Sequence, residues 1–263
     1  MTKADIAALA LRVYVRFWHK AHTLAGPVVL GGSTVHQTKI RREILDRLLA
    51  RRGRIHWFDT LDPAKTALVV VDMQNTFCEP GAPAEVPTSR AIIGNINVLT
   101  GELRARAVPI IWVLHANTRH GAHSDWDLFF NYVVADDVRQ QTIESLAPGR
   151  QQVWRELTTS PNDLTIIKNR YSALIVGSST LERVLRNLGL DTVLIAGTKT
   201  NVCCEATARD AMMLDFKVVM VSDCCAALSD EEHQASLETI IQQFGDVLTG
   251  EEVLARLDGQ TFR

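Results

Sequence analysis

The sequence predicts an α/β domain of three layers, a parallel sheet with helices on both faces, preceded by a helical N-terminal extension. Three observations point there. From residue 66 onward, five short runs of β-branched and aliphatic residues recur, none alternates apolar with polar side chains, and helix-compatible stretches separate them. Uninterrupted apolar runs belong to strands covered on both faces, the condition of parallel sheets whose crossovers are helices. The composition agrees. With 263 residues, 46% hydrophobic and 22% charged, and 28 basic against 30 acidic side chains, the chain is neither collagen-like nor disulfide-rich and has material for a large core.

Residues 1–61 read as the extension. A helical-looking stretch from Asp5 to about Leu24, a glycine patch at Gly31 and Gly32, and a basic helical stretch from about Lys39 to Arg52 have amphipathic spacing that suits packing on something else. The readings are an accessory arm over the main domain, a subunit interface, or a basic helix gripping membrane or RNA. Residues 62–263 read as the main domain, with strands TALVVV (66–71), VPIIWVL (108–114), LTIIK (164–168), DTVLIAG (191–197) and KVVMVS (217–222). Helices are expected at about 89–107, 178–188, 203–214 and 229–244. The stretch 116–163, with Trp126, Phe129 and Phe130, reads as a helical insertion.

The formal net charge of −2 supplies no field to gather phosphates, so small molecules are better partners than nucleic acid. No segment approaches the ~20 apolar residues of a membrane span. Five cysteines, at 78, 203, 204, 224 and 225, fit neither a spaced disulfide framework nor a zinc ribbon. Reduced thiols in a cytoplasm are expected.

Polar residues stand at the ends of the apolar runs: Asp72, His115 and Asn117, Lys168, Cys203 six residues past Gly197, and Asp223. In an open parallel sheet these ends share one edge, where ligands gather. Cys203 lies where a small-residue turn enters a helix, so the positive helix end should lower its pKa and favour a nucleophile. Cys204 points about 100° away along the helix and cannot face the same cleft. A thiol nucleophile requires a base or charge partner. His115 offers a Cys-His arrangement. Asp72 with Lys168 offers a better one, in which the ammonium stabilises thiolate while the carboxylate takes the thiol proton and passes it to a leaving amine.

The segments VVDMQNTF (70–77), KNRYSAL (168–174) and GTKTNVCCEATARDA (197–211), in this order, resemble the isochorismatase-like superfamily of cysteine hydrolases over about residues 62–250. The resemblance implies a Rossmann-like domain with a six-stranded parallel sheet and a catalytic triad of Asp72, Lys168 and Cys203. It also implies a cis peptide between Thr198 and Lys199, and an oxyanion hole formed by the N–H groups of Lys199 and Cys203. Assembly into homo-oligomers, dimers or tetramers, is the family's habit.

Within the superfamily, nicotinamidase-like members bind a metal through an Asp-Trp-His element. Here Asp125-Trp126 is followed by Asp127, so no metal or other cofactor is expected, although His115, His120 and His123 keep a metal-assisted amidase as an alternative. The resemblance to ureidoacrylate and carbamoyl-type amidohydrolases implies hydrolysis of a small linear amide, ureido or carbamoyl compound. Candidates for holding the substrate are Phe77, Asn117, Arg170 and Tyr171, with Arg170 suited to a carboxylate. The chain is longer than the relatives it resembles around Val176-Gly177-Ser178. A non-catalytic scaffold that kept the fold is the further alternative.

Overall fold

The computed structural model describes His36 and residues 39–260. The strands are β1 (Thr66–Val71), β2 (Ile110–His115), a small antiparallel hairpin of β3 (Arg119–His120) and β4 (His123–Ser124), β5 (Leu164–Lys168), β6 (Thr192–Thr198), β7 (Lys217–Ala226) and β8 (Asp246–Leu248). Six of them form one sheet in the order β5-β2-β1-β6-β7-β8, every neighbouring pair parallel. The chain therefore builds outward from β1 in one direction, returns, and builds outward from β6 in the other. β1 and β6 flank the point where the order reverses, the place where such sheets open a crevice beyond their carboxyl ends.

The helices are α1 (Arg42–Arg52), α2 (Asn75–Cys78), α3 (Ile93–Ala105), α4 (Asp127–Tyr132), α5 (Asp136–Ser145), α6 (Leu181–Asn187), α7 (Glu205–Met213), α8 (Asp230–Gln243) and α9 (Gly250–Leu257). Alternate residues of β1 feed two cores. Val69 and Val71 pack with α1, α6, α7 and α8, while Leu68 and Val70 pack with α3 and α9. This two-residue period explains why the central strands read as unbroken apolar runs: both faces are covered.

Two expectations change at the sheet edges. The unbroken pattern of LTIIK predicts burial on both faces, yet β5 is an edge strand with Leu164 and Ile167 37% and 48% exposed. The sixth strand, Asp246–Leu248, is too short to give an apolar run and adds to the five that the sequence predicts. The insertion is helical in α4 and α5, but it opens with the β3–β4 hairpin.

Of the extension, the helix from Asp5 to Leu24 and the glycine patch lie outside the described residues. The basic stretch does form α1, whose Ile44 and Leu48 are buried in the same core as the sheet. Arg41, just before it, grips Glu238 of α8 with its guanidinium Nε at 2.8 and 3.0 Å. No helix among the described residues is long and apolar enough to cross a membrane.

Gly197 decides how closely β1 and β6 approach. It pairs with Val71 at φ +113°, and a Cβ there would lie 2.0 Å from the Val71 carbonyl oxygen. Only glycine fits both the conformation and the space. The two strand ends carrying Asp72 and the Cys203 turn are thereby drawn together.

Candidate active site

Asp72 follows β1 directly, with φ at +55°, and Lys168 closes β5. Two strand spacings separate them, roughly 9.5 Å at about 4.8 Å each, and β2 lies between. The lysine chain crosses that gap over His115, its register partner, and brings Nζ to 2.8 Å from Asp72 Oδ2. Both side chains are buried, at 0% and 1% exposure.

The ammonium has three protons, and three acceptors surround it: Asp72 Oδ2, His115 Nδ1 at 3.1 Å and the Arg170 carbonyl at 3.1 Å. Because Lys168 donates to Nδ1, the His115 proton belongs on Nε2, which donates to Asn117 Oδ1 at 2.8 Å. Burial and then the Lys168 charge hold His115 well below its ordinary pKa, so the ring is neutral. Gln74 locks the backbone underneath, accepting from the His115 N–H at 2.6 Å and donating to its carbonyl at 3.0 Å. The sequence signal for it was the glutamine of VVDMQNTF, a polar residue in an otherwise buried stretch.

Asp72 Oδ1 is buried and accepts no hydrogen bond of ordinary length. The Cys203 thiol is the neighbour that interacts with both the carboxylate and the ammonium. Burial pushes Asp72 up from its ordinary value, and the charge of Lys168 offsets only part of this. For Lys168 burial acts downward, but Asp72 and Cys203 outweigh it and the ammonium is held charged. Cys203 departs from expectation. Burial first, and the Asp72 carboxylate next, push its thiol well above the ordinary range, and Lys168 draws it back only in part. The helix-end lowering is overridden because the thiol is desolvated beside an anion. The raised thiol thus lies next to the Asp72–Lys168 salt bridge.

The turn carrying Cys203 begins with a cis peptide between Thr198 and Lys199. Residues Thr200–Cys204 then wind as one wide π-type turn that runs straight into α7, so the helical segment starts three residues earlier than the sequence suggested. Such turns recur at functional sites. Cys204 is fully buried with its sulfur 3.9 Å from the Ala196 carbonyl, toward the sheet and Cys225. Cys78, Cys224 and Cys225 are buried free thiols.

The residues expected to hold a substrate lie around this centre in different states. Tyr171 is half-buried, and burial first and the neighbouring Cys203 next raise its phenol. Its ring meets Trp126 edge-on at 4.7 Å, and Trp126 in turn stacks with His115 at 5.8 Å. Phe77 is half-buried on α2, beyond the same strand end as Asp72. Asn117 is taken up inside the protein, donating to Asp125 Oδ1 at 2.7 Å besides accepting from His115. Arg170 donates to the Asn169 and Asp125 carbonyls, both at 2.7 Å, and lies 5.2 Å over Trp126. The loop at Val176-Gly177-Ser178 is exposed at Val176, while Ser178 ties it back through Ser172 O and the Asn169 N–H.

The carboxylates of the Asp125-Trp126-Asp127 segment are engaged by neighbouring groups. Asp125 receives Asn117 and Thr118, and Asp127 receives His123 at 2.7 Å and the Ser124 N–H. Among the described residues no group of three or more His, Cys, Asp or Glu side chains is placed to hold a metal ion. Asp125 and Trp126 order the site through Asn117 and the His115 ring, contacts for which the sequence holds no local signal.

Comparison with known proteins agrees with this architecture. The model of the isochorismatase domain matches residues 66–252. A probable inactive nicotinamidase of Arabidopsis thaliana is 32% identical over 173 residues, 65% of this chain and 86% of that protein. A cysteine hydrolase from Pseudomonas syringae pv. phaseolicola superposes with a TM-score of 0.66 at 31% identity, covering 78% of this chain and 97% of its own. N-carbamoylsarcosine amidase from Thermoplasma acidophilum does so with a TM-score of 0.54 at 25% identity, over 71% of this chain and 97% of its own. A domain match across most of the chain, on the parallel sheet described above, makes this protein a member of the isochorismatase-like hydrolase family.

Proposed function

We propose that the chain is a cysteine-dependent amidohydrolase that cleaves the C–N bond of a small linear amide, ureido or carbamoyl compound through a thioester. The observation that carries this reading is the buried Asp72–Lys168 pair at 2.8 Å, with the Cys203 thiol interacting with both partners and no other hydrogen-bond partner on Asp72 Oδ1. A buried ion pair costs desolvation energy that packing residues would avoid. A carboxylate oxygen left without a partner adds to that cost unless it has a proton to receive.

In the first step the Cys203 sulfur bonds to the substrate carbonyl carbon, its proton passes to Asp72 Oδ1, and the carbonyl electron pair moves onto oxygen. The N–H groups of Lys199 and Cys203 receive that oxyanion. When the pair returns, the C–N bond breaks and the Asp72 proton goes to the leaving nitrogen, giving ammonia or an amine and the thioester. Water then attacks the thioester and delivers a proton to Asp72; the C–S bond breaks, and that proton returns to the sulfur. Lys168 remains an ammonium throughout, stabilising negative charge as it passes between Asp72 and Cys203.

A second reading has one observation in its favour. The similar Arabidopsis protein is a probable inactive nicotinamidase, so a fold kept without catalysis is the competing case. One experiment separates the two: ammonia release from a panel of carboxamides, ureas and carbamoyl amino acids, with Cys203→Ala and Cys204→Ala alongside. Turnover lost in Cys203→Ala and kept in Cys204→Ala, with an acyl adduct on Cys203 by mass spectrometry, supports the hydrolase. Turnover that survives Cys203→Ala removes Cys203 as nucleophile.

A further inference from the structure

His36 belongs to the extension, thirty positions before the matched domain begins at residue 66. It is nonetheless buried, at 7% exposure, at the carboxyl edge of the sheet. The Ala227 N–H donates to its Nε2 at 3.1 Å, so the ring proton sits on Nδ1, which donates to Asp230 Oδ1 at 2.8 Å. Ala227 and Asp230 bound the loop that leads from β7 into α8. The His36 ring also stacks on His233 of α8, with centroids 4.4 Å apart and planes 20° from parallel.

His233 continues the chain of contacts to the nucleophile turn. A hydrogen bond of 2.8 Å joins its Nδ1 to Thr200 Oγ1, and Ser236, one helical turn on, donates to the Thr200 carbonyl at 3.2 Å. Burial first and the neighbouring His36 next pull His233 down to about 3, so it is a neutral ring that tolerates the stack. Thr200 opens the turn that ends in Cys203 and Cys204. Both polar groups of Thr200 that reach beyond the turn are thus held by α8, and one of the holding residues is fixed by His36.

We propose that His36 is a positioning residue for the nucleophile: by stapling the Ala227–Asp230 loop and the His233 ring, it sets the Thr200–Cys204 turn and with it the alignment of the Cys203 thiol with Asp72. The inference rests on Cys203 being the nucleophile. It makes a segment outside the family's domain part of the machinery that prepares the site.

The test uses the full chain and the rate at which iodoacetamide alkylates Cys203, read on its peptide by mass spectrometry at neutral pH, so no substrate need be known. His36→Ala is expected to change the rate of this alkylation about tenfold, since the reactivity of the thiol depends on its burial and its placement beside Asp72 and Lys168. His36→Gln keeps an acceptor for Ala227 and should bring the rate part of the way back. Arg41→Ala, which loosens the same segment at Glu238 without touching the turn, should leave it unchanged. An unaltered rate in His36→Ala overturns the proposal, as does an equal change in Arg41→Ala, which would indicate general loosening. If His36→Ala fails to fold, an unaltered rate in His36→Gln overturns it instead. An altered alkylation rate in His36→Ala of a protein that hydrolyses none of the amides would uphold the positioning role while removing the amidohydrolase reading.

Discussion

Lys168 and His115 face each other in register on neighbouring strands, and the ammonium of one donates to the imidazole Nδ1 of the other at 3.1 Å. This pairing makes His115 an acceptor with a fixed tautomer, where the sequence had offered it as a partner for the thiol. Asn117, Asp125 and Gln74 complete its surroundings. His115→Ala leaves one ammonium proton without its acceptor and removes the wall over which the lysine lies. We expect kcat to fall about ten- to a hundredfold with KM changed far less, measured on whichever amide proves active.

The ion pair predicts an unusual stability pattern. Lys168→Met strands a buried carboxylate and should cost about 3–5 kcal/mol, whereas adding Asp72→Asn removes the stranded charge and should recover most of that loss. Urea denaturation of the single and double variants checks the sign. Both should be inactive, so a double variant more stable than the single one would separate the requirements of folding from those of catalysis.

Activity should also be lost on acidification earlier than an ordinary aspartate would cause. Asp72 must be ionised to accept the thiol proton, and burial places its pKa above the ordinary 3.8. As pH falls through that raised value the carboxyl becomes protonated and turnover stops. The acid limb of log kcat/KM against pH should therefore lie above the normal carboxylate range; a limb at or below it would contradict the assignment.

Gly197→Ala should be among the most damaging small substitutions in the chain. Its Cβ would overlap the Val71 carbonyl at 2.0 Å, and both atoms belong to central strands that cannot part without opening the sheet. A loss of at least about 3 kcal/mol is expected, visible as a lowered Tm.

Much of the fold could be read from local pattern. TALVVV and TVLIAG are buried on both faces in the sheet, and their apolar continuity announced it. LTIIK carried the same pattern but sits at an edge, since strand order depends on crossovers that no local window contains. Asp246–Leu248 was too brief to leave a periodic trace. At the site, strand-end position singled out Asp72, Lys168, His115 and Cys203, while the bonds of Asn117 and Arg170 depend on an insertion whose path the sequence did not disclose.

The sequence by itself determined a parallel α/β sheet and the kinds of side chain that stand at its carboxyl edge, because covering both faces of a strand and ending it in a polar residue are local properties. The tertiary structure alone decided which of those side chains meet and in what protonation state. Lys168 reaches Asp72 across β2 because the strand order sets their ends two strands apart, and the Cys203 thiol is raised because the fold buries it beside a carboxylate, outweighing the helix end that sequence context had offered.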